Sequence, residues 1–316
     1  MTASVLHLIP RFHIITVISN PVRYKSRYRL YKEFIARMPT YANVWTVEVQ
    51  QGEREFVCTE AGNPFHIQIR TEDEIWIKEN MINIAYAKIV ATHPDCWGIA
   101  TLDADISFQR DDWIEETLQQ LQNYNVVQMF QTCVDSGPEG ETIQVHKGFG
   151  WSYVTGQVWG KDYSFWHPGY AWAYCRSALE NVGTAIGSPF IAGAILGAAD
   201  HHMALAMIGR VNMSYPGNIS AGYKMMCDTW QDRAEVNIYR EVGYVPGTIF
   251  HHWHGKKKNR FYVERWEILT KHQFDPYKHL VLGANGLYKL DNSNIQMRDD
   301  IKRYFRARNE DSIDLE

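Results

Sequence analysis

Apolar runs of strand length alternate with segments of helical periodicity over the first 132 residues. The runs are rich in β-branched residues and are separated by turn-forming residues such as Asn20-Pro21, as expected for buried strands. Strands are predicted at residues 13–19, 44–49, 66–70, 97–102 and 126–132. Helices are predicted at residues 23–37, 72–90 and 111–122. This alternation predicts an α/β fold with a mostly parallel sheet flanked by helices.

The pattern changes in the second half of the chain. Residues 147–169 are too glycine-rich for regular core elements and too aromatic for a linker, so we expect a site wall or a lid there. A strand is predicted within residues 167–174, and a short helix after Asp200. The charged residues from Arg298 onward predict a surface helix that frays after Asn309.

Composition narrows the functional classes. The net charge of −4 argues against a protein that coats nucleic acid. The five cysteines are far apart and form no C-x-x-C motif, which indicates reduced thiols and a cytoplasmic location. We find no secretory signal and no apolar run long enough to cross a bilayer, so no membrane span is expected. The eighteen tyrosines and eleven tryptophans suit a core and also the stacking of sugars or bases.

The apolar run at residues 97–102 is followed by two carboxylates, Asp103 and Asp105, spaced one residue apart. Ligands bind at the carboxyl ends of strands in open α/β sheets, so both acids are expected at a ligand crevice. If the chain stays extended, the two carboxylates share one side and require a cation, for which Mg²⁺ or Mn²⁺ is suited. The alternative is a helix cap, although Asp111 and Asp112 are available for that role.

A predicted strand, a turn and a basic helix open the chain. Asn20-Pro21 ends the strand, and Arg23 begins a run of basic and aromatic residues. Such a turn can present positive charge and amide groups to an anion. Alternatively, the aromatic residues belong to the core and the basic face is solvated.

Asp200 follows a run of small residues and precedes a predicted helix. This position suits a general base facing an acceptor hydroxyl, because small neighbours leave room for a substrate. The alternative is a helix N-cap, and one residue can serve both roles.

Histidines and cations lie together at residues 250–260 (FHHWHGKKKNR). His252 and His254 share one side of an extended segment and could supply an imidazole to the cation held by the two aspartates. The cations that follow could neutralise phosphate, and they are Lys256, Lys257, Lys258 and Arg260. The alternative is a solvated basic turn.

The order of these motifs resembles the GT-A class of nucleotide-sugar glycosyltransferases over roughly residues 13–280. The matching segments are residues 13–29, 102–106, 167–173, 197–200 and 251–260. The resemblance implies a single large GT-A-like domain. Its parts are a nucleotide-sugar-binding half (1–133), a half that binds the acceptor and completes the metal site (134–290), and a charged tail (291–316).

The resemblance also implies roles for individual residues. Asp105 would bind Mn²⁺ or Mg²⁺ at the donor diphosphate, and Asp103 would contact the ribose or share the metal. His254, or else His252, would be the late metal ligand. Asp200 corresponds to the base of inverting members, although this chain has Gly-Ala-Ala-Asp where many of them carry an additional acid, and a retaining enzyme would not need that base. Further donor contacts would come from Asn20, Arg23, Lys256, Lys258 and Arg260.

Residues 19–24 (SNPVRY) and 250–260 resemble those of phage and large-virus glycosyltransferases, some of which glycosylate hydroxymethylated pyrimidines in DNA. The resemblance implies a nucleotide-sugar donor, best a UDP-sugar, and viral DNA as the acceptor. The alternatives are a glycan or protein acceptor, metal-dependent phosphoryl or nucleotidyl transfer, and a non-catalytic carbohydrate- or nucleic-acid-binding module.

Overall fold

The computed structural model describes residues 5–158, 166–183 and 188–315. Residues 159–165, within the segment expected to form a wall or lid, lie outside the described residues. The strands are β1 (Phe12–Ser19), β2 (Asn43–Gln51), β3 (His66–Thr71), β4 (Gly98–Leu102), β5 (Ile106–Phe108), β6 (Val126–Gln128), β7 (Thr132–Ser136), β8 (Thr142–Gly148), β9 (Trp166–His167), β10 (Ala171–Cys175), β11 (Val242–Tyr244), β12 (Thr248–His251), β13 (Leu280–Leu282) and β14 (Tyr288–Leu290).

The helices alternate with these strands through most of the chain. The α-helices are α1 (Lys25–Ala36), α2 (Lys78–Thr92), α3 (Trp113–Gln120), α4 (Phe149–Val154), α5 (Arg176–Leu179), α6 (Ala199–Ala206), α7 (Ala221–Asn237), α8 (Arg265–Lys271), α9 (Pro276–His279) and α10 (Ile295–Ala307). Short 3-10 helices span Leu6–Arg11, Val211–Met213 and Lys257–Arg260.

The central sheet has the strand order β11-β6-β10-β4-β1-β2-β3. β10 is antiparallel to both of its neighbours, and the other pairs are parallel. β1 and β4 are adjacent, with Phe12 opposite Gly98 and Ile15 opposite Thr101. Their carboxyl ends therefore open at the same edge of the sheet, where ligands bind in this class of fold.

A second sheet, in the order β5-β12-β7-β8-β9, adjoins this edge, and β13 and β14 form a separate hairpin. β12 pairs antiparallel with β5, which places His251 opposite Ile106. On its other side β12 is parallel to β7, which places His251 opposite Asp135. Strand pairing alone thus brings a late histidine next to Asp135 and to the residues that follow the D-x-D.

Apolar side chains cover both faces of the central sheet. One face packs against α2, α6 and α7 and includes Ile15 and Val47. The other packs against α3 and the first 3-10 helix and includes Ile14 and Ala100. Strands covered on both faces have near-continuous apolar sequences, which is why the sequence pattern located them. The predicted α/β architecture with a mostly parallel sheet flanked by helices is confirmed.

α2 begins six residues later than the sequence predicted, at Lys78 instead of residue 72. Asp73 and Glu74 do not cap it; they bind Arg298 and Arg306 of α10. The late start places the first turn of α2 at the edge of the sheet where β1 and β4 end.

The predicted strand at residues 126–132 is two strands, because β6 belongs to the central sheet and β7 to the second sheet. α7 was not predicted, because exposed apolar residues such as Met225 and Val236 weaken the contrast with its buried stripe. Neither α7 nor any other helix in the described part of the chain combines the length and apolar character needed to cross a bilayer.

Residues 308–311 are not a frayed surface tail. Glu310 is buried, and Asp311 accepts hydrogen bonds from the first two amides of α1 at 2.7 and 2.9 Å. The hydroxyl of Tyr24 accepts the amide of Asn309 at 3.0 Å. These bonds fix the C-terminal residues against the start of α1.

Candidate functional site

A cavity of about 680 Å³ opens at the carboxyl ends of β1 and β4. Its wall also includes the first turn of α2, the start of α6, the segment after β12, and Arg308 and Glu310. Cavities of this volume hold small molecules and cofactors, and their usual position in an open α/β sheet is this edge.

The D-x-D divides its two carboxylates between different partners. β4 ends at Leu102, and the chain turns over the next three residues. Asp103 binds the ammonium group of Lys78, whereas Oδ2 of Asp105 lies 3.0 Å from Nε2 of His254. The chain does not stay extended, so the condition for both carboxylates sharing one side is not met; the two bind different groups, although both line the cavity.

Asp105, His251 and His254 form what we name the histidine cluster. The two Nε2 atoms are 3.3 Å apart, and Oδ2 of Asp105 lies 3.9 Å from Nε2 of His251. β12 ends at His251 and the chain does not continue extended, so histidines three residues apart meet instead of histidines two apart. The structure does not bring His252 to this cluster, since its Nε2 lies 2.9 Å from the hydroxyl of Ser107.

A carboxylate lies behind each imidazole of the histidine cluster. Nδ1 of His251 donates to Oδ1 of Asp135 at 2.8 Å, and Nδ1 of His254 lies 3.6 Å from Oε2 of Glu310. Burial would raise the pKa of Asp135, but the hydrogen bond from His251 and the charge of Lys257 hold it well below its usual range. Burial lowers the pKa of His251 to about 4, so this imidazole is neutral at pH 7.

Arg260 and Lys257 bring positive charge to the histidine cluster from one short 3-10 helix. Nη2 of Arg260 lies 2.8 Å from Nε2 of His254. Lys257 binds Oδ2 of Asp135, and both cations line the cavity. Three other cations named from the sequence lie outside the cavity wall, and they are Arg23, Lys256 and Lys258.

The histidine cluster has the donor set of a divalent-cation site. Two Nε2 atoms and one carboxylate oxygen converge there. The other oxygen of Asp105, Oδ1, is buried without a hydrogen-bond partner in the described chain. The carboxylates behind the imidazoles are the usual means of orienting metal-binding histidines. The residues fit a divalent cation, and two imidazoles suit Mn²⁺ better than Mg²⁺, which prefers oxygen ligands.

Cys133, Asp135 and His146 form a second group of metal-ligating residue types behind the histidine cluster. Burial raises the pKa of the Cys133 thiol above its usual range, and thiols bind metal only as thiolates. The ammonium group of Lys257 already binds Asp135. Both features disfavour a cation at this second group, whose Asp135 instead supports His251.

Lys78, Glu79, Asp103 and Asp200 form what we name the helix cluster, since three of them belong to the first turns of α2 and α6. Burial opposes the charge of Lys78, but Asp103, Glu79 and Asp200 raise its pKa, so Lys78 stays protonated. Burial raises the pKa of Asp103, and the charge of Lys78 opposes that rise. One cation and three carboxyl groups thus share this part of the cavity.

Asp200 lines the cavity and does not cap α6. The N-cap residue is Ala198, at φ 81°, whose side chain makes no capping bond. Oδ1 of Asp200 accepts the adjacent amide of His201 at 2.8 Å. A Cβ at Gly169 would lie 2.5 Å from Oδ2 of Asp200, so the glycine leaves the room that this carboxylate occupies.

Another part of the cavity wall is aromatic and cationic. The ring of Trp76 contacts the guanidinium groups of Arg27 and Arg308, whose Cζ atoms lie 5.8 and 5.3 Å from its centroid. Glu310 accepts hydrogen bonds from both arginines, at 2.8 Å from Arg27 Nη2 and 2.5 Å from Arg308 Nε. Asn20 also lines the cavity, and its side-chain amide is bonded within its own turn.

Sequence analysis gave no role to several groups that the fold brings to the cavity. Two signals were present: His251 precedes the named histidines directly, and Lys78 with Glu79 lies in a predicted helix after a strand. Nothing in the local sequence pointed to Asp135 or Glu310, which approach through strand pairing and through the C-terminal residues.

No protein-family model and no curated protein matches the chain. A solved structure described as a nucleotide-diphospho-sugar transferase from Desulfovibrio desulfuricans G20 is similar at TM-score 0.33 and 10% identity, over 96% of this chain and 99% of that one. Mannose-1-phosphate geranyltransferase from Thermus thermophilus is similar at TM-score 0.33 and 11% identity, over 76% of this chain and 75% of that one. TarS 1-349 from S. aureus is similar at TM-score 0.33 and 10% identity, over 94% of this chain and 71% of that one. Similarities this distant assign neither a family nor an activity.

Proposed function

We propose that this protein is a metal-dependent glycosyltransferase that moves a sugar from a nucleotide-sugar, best a UDP-sugar, to an acceptor hydroxyl. The observation that carries the proposal is that three kinds of group line one cavity. They are the aromatic and cationic group at Trp76, the Asp105-His251-His254 cluster, and the carboxyl groups of the helix cluster, including Asp200. A nucleoside, a diphosphate and a sugar with its acceptor hydroxyl need these three environments.

The donor diphosphate lies in this proposal beside the histidine cluster. Asp105, His251 and His254 would hold the Mn²⁺ or Mg²⁺, which neutralises the charge that develops on the leaving diphosphate. Arg260 and Lys257 supply further positive charge on the same wall. Trp76 offers a ring for stacking the base, and Asn20 and Asp103, which line the same cavity, are proposed as further donor contacts.

Asp200 is the proposed base. The acceptor oxygen attacks the anomeric carbon and forms the new glycosidic bond, while the bond from that carbon to the phosphate oxygen breaks. The electron pair leaves with the nucleoside diphosphate, and the acceptor proton passes to the Asp200 carboxylate. This sequence inverts the anomeric configuration, because the acceptor enters opposite the leaving group.

The acceptor is a separate proposal that rests on the resemblance. A hydroxymethylated pyrimidine in viral DNA stays the predicted acceptor, and glycans and proteins are the alternatives. A DNA-modifying enzyme needs to bind a base taken out of the stack, so single-stranded and duplex DNA containing hydroxymethylcytosine are the acceptors to compare.

The test is thermal stabilisation by UDP-, GDP-, ADP- and CMP-sugars, each with Mn²⁺ and again with EDTA. A ligand that binds the native state raises the melting temperature, and we expect a shift with UDP-sugars that EDTA removes. Sugar-labelled and phosphate-labelled donors then distinguish transfer of the sugar from transfer of phosphate. The absence of any metal-dependent shift, or label transfer from phosphate, contradicts the proposal.

A further inference from the structure

Glu79 is a buried acidic side chain to which the proposed reaction gives no role. It lies in the first turn of α2, lines the cavity, and is 5% exposed. Its carboxyl group accepts its own backbone amide, whereas the neighbouring ammonium group of Lys78 is bound to Asp103. A buried carboxyl group without a side-chain partner in a ligand cavity is expected to bind ligand or a proton.

Glu79 and Asp200 face a common chamber behind the main cavity. This chamber of about 20 Å³ is lined by both carboxyl groups and by Thr101, Trp172 and Tyr174 among others. That volume is enough for one water molecule, and its wall offers several polar partners. The two acids, from α2 and α6, therefore meet where the main cavity joins a water-sized space.

The charges around Glu79 favour its uncharged form. The charged or titratable groups that face it are Lys78 on its own helix, Asp103 after β4, Asp200 on α6, Tyr174 on β10 and Tyr223 on α7. The single positive charge of Lys78 is opposed by three carboxyl groups, so ionising all of them leaves two uncompensated negative charges in a poorly hydrated space.

We propose that Glu79 is a second carboxyl group of the reaction centre, which remains uncharged at neutral pH and donates a hydrogen bond to a sugar hydroxyl beside Asp200. This role rests on the proposed function. The two acids then divide the work: Asp200 accepts the acceptor proton, and the Glu79 O–H holds the transferred sugar. This chain lacks an additional acid immediately before Asp200, and Glu79 brings a second carboxyl group to the same place from another helix.

The pKa of Glu79 agrees with this geometry. Burial raises it to about 8, with Asp200 and Asp103 contributing in the same direction and Lys78 opposing. A carboxylic acid held neutral in this way acts as a hydrogen-bond donor at pH 7, which an ionised carboxylate cannot do.

Infrared spectroscopy of the protein without ligand tests the charge state directly. We expect a C=O stretching band of a protonated carboxyl group at pH 7 that disappears as the pH rises through about 8. The band should be absent in Glu79→Gln and present in the control Glu180→Gln, whose carboxylate lies in an exposed pair with Arg176. In Asp200→Asn the band should disappear at lower pH, because a neighbouring negative charge is removed. A wild-type protein without the band, or Glu79→Gln with it, overturns the proposal.

Donor binding tests the hydrogen bond to the sugar, with UDP-glucose, UDP-galactose and UDP-N-acetylglucosamine, each with Mn²⁺, as probes. Glu79→Gln keeps an uncharged donor and should bind within about threefold of wild type, whereas Glu79→Ala should bind about tenfold more weakly. UDP without a sugar should bind both variants equally. Equal affinity of the two variants for every nucleotide-sugar that wild type binds overturns the role of Glu79. If wild type binds none of the three, the UDP-sugar proposal fails, while the infrared band still decides the charge of Glu79.

Discussion

The histidine cluster and the helix cluster lie on either side of the turn at residues 103–105, and they differ in the charges they hold. Asp105 in the histidine cluster faces two imidazoles, and a carboxylate lies behind each of these. The helix cluster has one ammonium group and three carboxyl groups. The first is suited to a cation and the second to protons and hydroxyl groups.

The comparison shows how one short motif serves two kinds of chemistry. Because the chain turns after β4, the D-x-D places Asp105 with the histidines and Asp103 with Lys78. In an extended segment the two carboxylates would have faced the same ligand.

The largest expected effect is that of replacing Asp105, compared with the same replacement of Asp103. Asp105→Asn removes the charged ligand of the histidine cluster, so we expect loss of the Mn²⁺-dependent donor stabilisation and roughly a 10³-fold loss of turnover. Asp103→Asn should weaken donor binding about tenfold and leave its dependence on Mn²⁺ intact. Melting temperatures measured against Mn²⁺ concentration compare the two. Identical behaviour of the two variants contradicts the division of the D-x-D.

Asp135→Asn tests the carboxylate behind His251. The neutral amide orients the imidazole less strongly, so the affinity for Mn²⁺ should fall by about 10–100-fold while donor binding recovers at high Mn²⁺. Calorimetric titration with Mn²⁺ measures the change. The matched control is Asp112→Asn, which breaks an exposed pair with Arg110 and should leave Mn²⁺ affinity unchanged. An unchanged affinity in Asp135→Asn would remove the carboxylate from the metal site.

Glu310→Gln tests the C-terminal residues. Burial would raise the pKa of Glu310, but Arg27 and Arg308 hold it well below its usual range. The substitution therefore removes an ionised carboxylate. Because Arg308 is then left buried with less compensating charge, we expect a loss of about 3 kcal/mol in the free energy of unfolding. Urea denaturation measures it against Glu33→Gln, which breaks an exposed pair with Arg29 and should cost at most about 0.5 kcal/mol. Equal costs would mean that Glu310 contributes no more than a surface pair.

Glu79 of the helix cluster and Asp135 behind the histidine cluster should make the free energy of unfolding depend on pH with opposite signs. Burial raises the pKa of Glu79 to about 8 from an ordinary value of 4.5, so the folded protein binds a proton that the unfolded chain releases. Stability from this group is present below pH 4.5 and is lost as the pH rises to about 8. The pKa of Asp135 is depressed in the folded protein, so the stabilisation that this carboxylate contributes is lost as the pH falls.

Differential scanning calorimetry of Glu79→Gln checks the sign for the helix cluster. The amide carries no charge, so the variant should melt about 2–4 °C above wild type at pH 9 and no higher at pH 5. A wild type that is the more stable protein at pH 9 would mean that Glu79 is ionised there without cost.

The smallest effect is expected at His252. Because its imidazole lies against Ser107 and not beside Asp105, His252→Ala should change Mn²⁺ affinity by less than about twofold. In the same titration, His254→Ala should lose most of the affinity for Mn²⁺. A larger loss in His252→Ala would restore His252 as the late metal ligand.

Local patterns were enough to locate the strands and the acids that end them. Buried strands need continuous apolar residues whatever surrounds them, so β1 to β4 and the α/β class could be read from hydrophobic periodicity. Asp103, Asp105 and Asp200 were recognisable for a related reason, since each follows a run of apolar or small residues and breaks it. α7 was missed, because exposed apolar residues such as Met225 and Val236 interrupt the contrast between its buried and exposed faces.

The partners of those acids depended on contacts that no local pattern encodes. Asp103 and Asp105, in the turn after Leu102, bind different partners. Where β12 ends, His251 contacts His254, and His252 does not join them. Glu310 reaches Arg27 across 283 positions of sequence. By itself the sequence determined the sheet, the cavity edge and the acids placed there, because burial and strand length are local demands. Only the tertiary structure decided which charges meet, because that depends on strand register and on where each element ends.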